Sequence, residues 1–122
     1  WHQDGAFLGR GIRALNIWLS LSHCGTDAPS LDILPRRLDD IVETGTHGSY
    51  FDWAVGPELV EELARETPVV RPAFGPGDVL LFDDMLLHRT ATDPSMSRAR
   101  YAIETWCFAP SHYPEGHVPL VW

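Results

Sequence analysis

Two histidines and one aspartate are the residues of this sequence whose types and spacing best suit metal chemistry. His2-Gln3-Asp4 places an imidazole and a carboxylate two residues apart, and His88 follows a short apolar segment much later in the chain. In an extended segment, residues two apart point to the same side, so His2 and Asp4 are expected to share one cation, with His88 at the end of a strand as the third ligand. Two imidazoles and a carboxylate cover one face of an octahedron and leave the other face open, as oxygen activation requires. A closed structural zinc site would instead need a fourth ligand, usually a thiolate.

Two basic side chains after His88 add a second chemical requirement. Arg98 and Arg100 lie at the start of a predicted strand, and an unpaired guanidinium in a cavity is costly unless an acid ligand pairs with it. A dicarboxylate cosubstrate would meet this need, because one carboxylate can accept two hydrogen bonds from the guanidinium while its keto acid end chelates the metal. The residues alone leave Arg98 and Arg100 open as alternatives.

The elements that must position these residues are short strands. Residues 14–22 alternate strictly, which predicts a strand between an apolar layer and a polar cavity. Its apolar face carries Leu15, Ile17, Leu19 and Leu21, and its other face carries Asn16, Trp18, Ser20 and Ser22. Further strands are predicted at 31–35, 77–82 and 100–108, and one amphipathic helix at 57–66. Many short strands, glycine and proline turns and a single short helix favour an all-β fold, a small antiparallel barrel or jelly roll.

Composition excludes several classes of function. A hydrophobic content of 44% with 21% charged residues is typical of one folded domain. The net charge is −8 and no basic run is present, so nucleic acid is not an expected partner. No apolar run or signal-like start predicts a membrane segment or export. The two cysteines, Cys24 and Cys107, are far apart, so we expect neither a disulfide framework nor a zinc finger, and a reducing cytoplasm fits best.

Several segments, in order, resemble the phytanoyl-CoA dioxygenase family of iron(II)- and 2-oxoglutarate-dependent oxygenases. They are Trp1-His2-Gln3-Asp4-Gly5, Leu15-Asn16-Ile17-Trp18-Leu19, Leu31-Asp32-Ile33-Leu34-Pro35, the run from Gly77 through Phe82 to His88, and Arg100-Tyr101-Ala102-Ile103. The resemblance implies a double-stranded β-helix, that is, a cupin-like jelly-roll barrel. The family's N-terminal helices and first barrel strand have no counterpart here. We therefore expect residues 1–122 to be the C-terminal iron- and 2-oxoglutarate-binding part of such a domain, incomplete at its N-terminus.

The resemblance also implies a role for each matching position. The expected iron(II) ligands, which are also the catalytic residues, are His2, Asp4 and His88. The residues expected to bind 2-oxoglutarate or line its pocket are Arg100, Thr90, Gln3 and Trp18. Arg100 would hold the far carboxylate, with Arg98 as the alternative, and Thr90 would contribute a hydroxyl. Two of these residues also have a purely structural interpretation: Trp18 as a core aromatic residue and Gln3 as a solvent-facing strand residue.

The implied reaction is hydroxylation of a small organic substrate with O2, in which 2-oxoglutarate is converted to succinate and carbon dioxide. Asp4 favours hydroxylation over halogenation, because related halogenases replace this carboxylate by a small residue. Two alternatives stay open: a cupin-like metal isomerase or hydrolase that uses zinc or manganese without a cosubstrate, and a non-catalytic metal-binding barrel remnant. The sequence identifies neither the primary substrate nor the oligomeric state, and it leaves open whether this segment turns over alone.

Overall fold

A three-stranded antiparallel sheet forms the larger part of the computed structural model, which describes residues 1–9, 11–118 and 120. Strand β1 (Ala14–Ser20) lies between β3 (Val79–Asp83) and β5 (Ala102–Phe108). A second antiparallel sheet pairs β2 (Ser30–Ile33) with β4 (His88–Ala91). The helices are α1 (Gly5–Leu8) and α2 (Pro57–Ala64). Neither helix in this part of the chain is long and apolar enough to cross a membrane.

The mostly β architecture with little helix is therefore confirmed, and the predicted strands and helix occur with bounds that differ by up to two residues. The closed jelly-roll barrel is not confirmed, because the described residues form two separate sheets of three and two strands. Two local predictions were wrong. His88 begins β4 and does not end a strand, and Asp4, which was expected in an extended segment, has a helical backbone directly before α1.

The alternation of β1 is confirmed. The face that carries Asn16, Trp18 and Ser20 is the buried one. Asn16, Trp18 and Ser20 are buried, whereas Leu15 is 46% exposed. The inner face packs toward the second sheet through a shared apolar cluster. That cluster contains Trp18, Cys24, Ala28, Leu31, Phe74 and Phe82. The expected apolar layer over the other face is not supplied by the described residues, since Leu81 and Ile103 beside β1 are also exposed.

Helix α2 covers a second apolar cluster next to the start of β4. Pro57 occupies the first turn, where its missing N–H costs no hydrogen bond. The negative charge of Glu58, also in the first turn, stabilises the helix by its interaction with the positive end of the helix dipole. The buried residues of this cluster are Leu34, Leu38, Val55, Val60 and Leu87. Leu87, which directly precedes His88, therefore packs in the same cluster as α2.

A buried carboxylate joins the two strands of the smaller sheet. Asp32 on β2 accepts hydrogen bonds from Arg71 at 2.7 Å and from Arg89 on β4 at 2.9 Å. Burial opposes ionisation of Asp32, but the two arginines outweigh this penalty, so its pKa lies below the ordinary value for an aspartate. The ion pairs therefore stabilise the folded chain beside His88 whenever Asp32 is charged.

We expect Asp32→Asn to lower the free energy of unfolding at pH 7 by about 2 kcal/mol, between the ~0–1 kcal/mol of exposed ion pairs and the ~3–5 kcal/mol of buried ones. A group whose pKa is depressed by folding stabilises above its unfolded pKa and loses that contribution as the pH falls through the folded pKa. The difference between the two proteins should therefore close below about pH 4. Urea unfolding across a pH series measures it.

Asp27→Asn is the matched control, because Asp27 pairs with the exposed Arg98 at 3.4 Å. This substitution should change the free energy of unfolding by less than about 1 kcal/mol at any pH. Equal losses in the two variants would contradict the role assigned to Asp32.

Candidate metal centre

His2 and His88 are brought together by their backbones. The His2 N–H donates to the His88 carbonyl at 2.9 Å, and the His88 N–H donates to the His2 carbonyl at 3.0 Å. In a hydrogen-bonded antiparallel pair of this kind, the two side chains leave the backbone on the same side. The imidazole centroids accordingly lie 4.3 Å apart.

Asp4 reaches the same point through a turn rather than through strand alternation. Its backbone is helical, with φ −62° and ψ −31°, and its carboxylate does not cap α1. The next residue, Gly5, packs so closely on Asp84 that a Cβ would lie 2.9 Å from the Asp84 carboxylate. The Gly5 N–H also donates to the Asp84 carbonyl at 2.8 Å. This close approach fixes the turn that carries Asp4.

The three side chains converge on one point. Asp4 Oδ1 lies 3.4 Å from His2 Nε2 and 4.0 Å from His88 Nε2. One ligand atom from each residue lies within 4.8 Å of the other two. Donors about 2.0–2.2 Å from a shared ion lie up to roughly this distance from each other, so the set could hold one metal ion.

The surroundings favour the metal-binding form of His88. Its Nδ1 pairs with the Leu86 carbonyl at 3.0 Å, which leaves Nε2 as the nitrogen that faces Asp4. Burial and the neighbouring His2 lower the pKa of His88, so the ring is neutral at pH 7. A neutral imidazole offers a lone pair to a cation without first losing a proton.

Asn16 on β1 completes this arrangement, and sequence reasoning assigned it no individual role. Its Nδ2 donates to Asp4 Oδ2, and its Oδ1 is buried without a hydrogen-bond partner among the described residues. Asn16 therefore orients one oxygen of Asp4 and leaves the other toward the histidines. The available signal was an amide side chain on the inward face of a strand. Two imidazoles and one held carboxylate fit a divalent transition metal such as iron(II).

The structure distinguishes the two candidate arginines. Arg100 donates to the Ser30 carbonyl at 3.1 Å, and its guanidinium lies 5.6 Å from the centroid of the Trp18 ring. No carboxylate of the described residues forms an ion pair with it at 4 Å or less. Arg98 points outward, with 65% of its side chain exposed, and pairs with Asp27. Arg100, rather than Arg98, is thus the inward-facing guanidinium.

The other predicted pocket residues have different positions. Thr90 lies on β4 two residues from His88, so both side chains leave the strand on one side. Trp18 is a buried core residue, 4.9 Å from the Phe74 ring, and it also supports Arg100. The core interpretation of Trp18 is therefore compatible with its contact with Arg100.

Gln3 is not brought into the site. It is 1% exposed, its Nε2 donates to the Asp40 and Met85 carbonyls, and its Oε1 accepts from the Val42 N–H at 2.8 Å. Both ends of the amide are thus engaged by backbone. The expectation of a pocket residue is corrected to that of a clamp on the 39–55 segment, and the solvent-facing alternative was also wrong.

Comparison with known proteins identifies one family. The model for phytanoyl-CoA dioxygenase (PhyH) matches residues 1–100, a stretch that includes the three converging residues, Thr90 and Arg100. No curated protein and no solved structure matches the chain.

Removal of the carboxylate should abolish tight metal binding. Loss of one partner from a buried ion pair costs about 3–5 kcal/mol, so Asp4→Ala should weaken Co(II) binding roughly a hundredfold or more. Anaerobic titration followed by the visible absorption of Co(II) measures the affinity. Asp39→Ala removes an exposed aspartate of the neighbouring loop and should leave the affinity unchanged. Wild-type affinity in Asp4→Ala would rule out this centre.

Loss of the residue that orients Asp4 should have a smaller effect. Asn16→Ala should weaken Co(II) binding about ten- to a hundredfold, as expected when a partner of a ligand is removed. Ser20→Ala is the matched control, because Ser20 is also buried on the inner face of β1 and bonds to the Ser22 carbonyl instead. If both variants lost metal affinity equally, the effect would belong to the strand and not to Asn16.

Proposed function

Because the chain belongs to the phytanoyl-CoA dioxygenase family, we propose that it is a non-haem iron(II)- and 2-oxoglutarate-dependent dioxygenase that hydroxylates a small organic substrate. The observation that carries this proposal is the convergence of His2, Asp4 and His88 on one point. When bound there, iron(II) and 2-oxoglutarate would supply the oxygen chemistry: one atom of O2 enters succinate as carbon dioxide leaves, and the other hydroxylates a C–H bond.

The three proposed ligands would hold the iron on one side only. Asp4 and His88 are nearly enclosed, with side chains 3% and 6% exposed, whereas the His2 side chain is 25% exposed. Three protein ligands leave the remaining coordination positions for the keto acid and for oxygen. Asp4 also occupies a position that a halide would need, which supports hydroxylation.

Arg100 is proposed to bind the far carboxylate of 2-oxoglutarate. Its guanidinium is held by the Ser30 carbonyl and the Trp18 ring, and its remaining N–H groups can donate to a planar carboxylate. Thr90 would add a hydroxyl from the strand that carries His88. An isomerase or hydrolase without a cosubstrate would leave Arg100 without a function, and the family assignment does not favour that alternative.

We expect Arg100→Ala to weaken binding of 2-oxoglutarate at least about thirtyfold while metal affinity stays nearly intact, because a broken charge-assisted pair costs about 2–5 kcal/mol. Thr90→Ala removes one neutral donor and should cost about 1 kcal/mol. Calorimetric titration of 2-oxoglutarate into the Mn(II)-loaded protein measures binding, and succinate release from the iron-loaded protein measures turnover.

Arg98→Ala is the matched control for this experiment, since it removes the same charge two residues away from an exposed pair. It should leave 2-oxoglutarate binding unchanged. A steep loss in Arg98→Ala alone would transfer the role to that residue. An unchanged response in both variants would refute the cosubstrate assignment.

A further inference from the structure

Two aromatic side chains lie against His2, and a third stacks on one of them. The His2 ring lies 5.8 Å from Phe7 and 6.0 Å from Trp53, measured between centroids, and Phe7 and Trp53 lie 5.8 Å apart. Phe51 stacks on Trp53 at 5.1 Å with the planes 7° apart. All three remain accessible, with exposed fractions of 48% for Phe7, 46% for Trp53 and 58% for Phe51. We call Phe7, Phe51 and Trp53 the aromatic wall.

The wall is held in place by the segments that flank the metal ligands. Its two loop residues belong to residues 39–55, which we call the 39–55 loop. One end of this loop is fixed by Gln3, between two proposed ligands, through the Val42 N–H. The other end is fixed by the Val55 N–H, which donates to the Trp1 carbonyl at 2.8 Å.

Inside the loop, Ser49 Oγ donates to the Phe51 and Ala54 carbonyls. The position of Trp53 beside His2 is therefore set by hydrogen bonds on both sides of it. The wall is a built feature of the structure, and its aromatic faces are not needed to fill either apolar cluster of the fold.

The wall lies where a substrate must arrive. Asp4 and His88 are almost closed off from solvent, so the accessible side of the metal centre is the side of His2. A molecule approaching from there meets Phe7 and Trp53 first. Exposed aromatic faces at a site bind apolar and ring-shaped groups most strongly, because they release water and stack.

The charge of the same region excludes one kind of substrate. The 39–55 loop has no lysine or arginine, and its acidic residues are Asp39, Asp40, Glu43 and Asp52. Elsewhere in the described residues, ion pairs with carboxylates already engage Arg13, Arg36, Arg37, Arg71, Arg89 and Arg98. A CoA thioester carries several phosphate charges that would need free basic groups, and the loop offers none.

Glu104 adds negative charge on the inner face of the larger sheet. It lies across from Trp18 in the pairing of β1 with β5, so its side chain leaves the sheet on the inner face. Partial desolvation, followed by the nearby charge of Asp4, raises the pKa of Glu104.

We propose, resting on the proposed function, that Phe7 and Trp53 form the substrate wall of the metal centre and that the primary substrate is a ring-bearing or otherwise apolar molecule without anionic groups, not a CoA thioester. Its apolar body lies against the wall, and its reacting carbon is thereby held beside His2.

Four ring-bearing probes test the substrate class: phenylpropanol, phenylpropylamine, phenylpropionate and benzoyl-CoA. Their dissociation constants are measured by calorimetry on the Mn(II)- and 2-oxoglutarate-loaded protein and on the metal-free protein. We expect the neutral and cationic probes to bind at least about tenfold more tightly than the two anionic ones. A tenfold difference in dissociation constant corresponds to about 1.4 kcal/mol. Tightest binding of benzoyl-CoA would overturn the proposal.

Variants of the wall test the residues. Trp53→Ala and Phe7→Ala should each weaken phenylpropanol binding about tenfold, whereas Trp53→Phe should retain most of it. Tyr50→Ala is the control, because Tyr50 is an aromatic residue of the same loop that is 94% exposed. Co(II) affinity should be unchanged in all of these variants, which shows that each remains folded around the metal centre. Wild-type probe binding in Trp53→Ala would overturn the proposal.

The outcomes separate this inference from the function on which it rests. If metal and 2-oxoglutarate bind but no probe responds to Trp53→Ala, the substrate wall fails and the dioxygenase assignment stands. If the protein binds no metal while probe binding still depends on Trp53, the wall stands as a binding surface and the dioxygenase assignment fails.

Discussion

The two backbone hydrogen bonds between His2 and His88 are the constraint on which the rest of the site depends. They join a segment at the start of the chain to a strand that forms much later, and they set the imidazoles side by side without any bond between the rings. A reciprocal antiparallel pair leaves little freedom in the direction of either Cβ. Gln3 then clamps the segment from the other side through three backbone groups, so the turn to Asp4 starts from a fixed point.

Much of the secondary structure could be predicted because it follows from local patterns. The alternation of β1 and the proline at the start of α2 both appear in the structure at the expected places. The turn at Asp4 could not be predicted, because a histidine and an aspartate two residues apart can converge from a strand or from a helical turn. The start of β4 at His88 depends on pairing with β2, which is a tertiary contact that periodicity does not report. The covering of the apolar face of β1 was expected from its leucines, yet the described residues leave Leu15 half exposed.

The types of the candidate site residues could be predicted more fully than their partners. Two histidines and one carboxylate, with an arginine later in the chain, indicate a metal site that binds an acidic cosubstrate. His2, Asp4 and His88 do converge. Asn16 received no individual role because its contact with Asp4 joins a strand to a turn. The spacing of residues along the sequence does not predict such a tertiary contact. Gln3 was misplaced for a similar reason: its amide pairs with the Met85 carbonyl and with two backbone groups of the 39–55 loop, which would otherwise be costly to bury.

The metal centre and the two loop residues of the aromatic wall are held by different kinds of structure, and this separation has a functional consequence. The proposed ligands depend on backbone pairing and on the packed turn at Gly5, where even one added carbon would clash. Trp53 and Phe51 instead belong to a surface loop fixed at its two ends, and their side chains fill no part of the core. Loops of this kind tolerate substitution better than the elements that anchor them. Phe51 and Trp53 can therefore change without disturbing the residues that would hold the metal, because the hydrogen bonds that position the loop involve its backbone and not its aromatic rings.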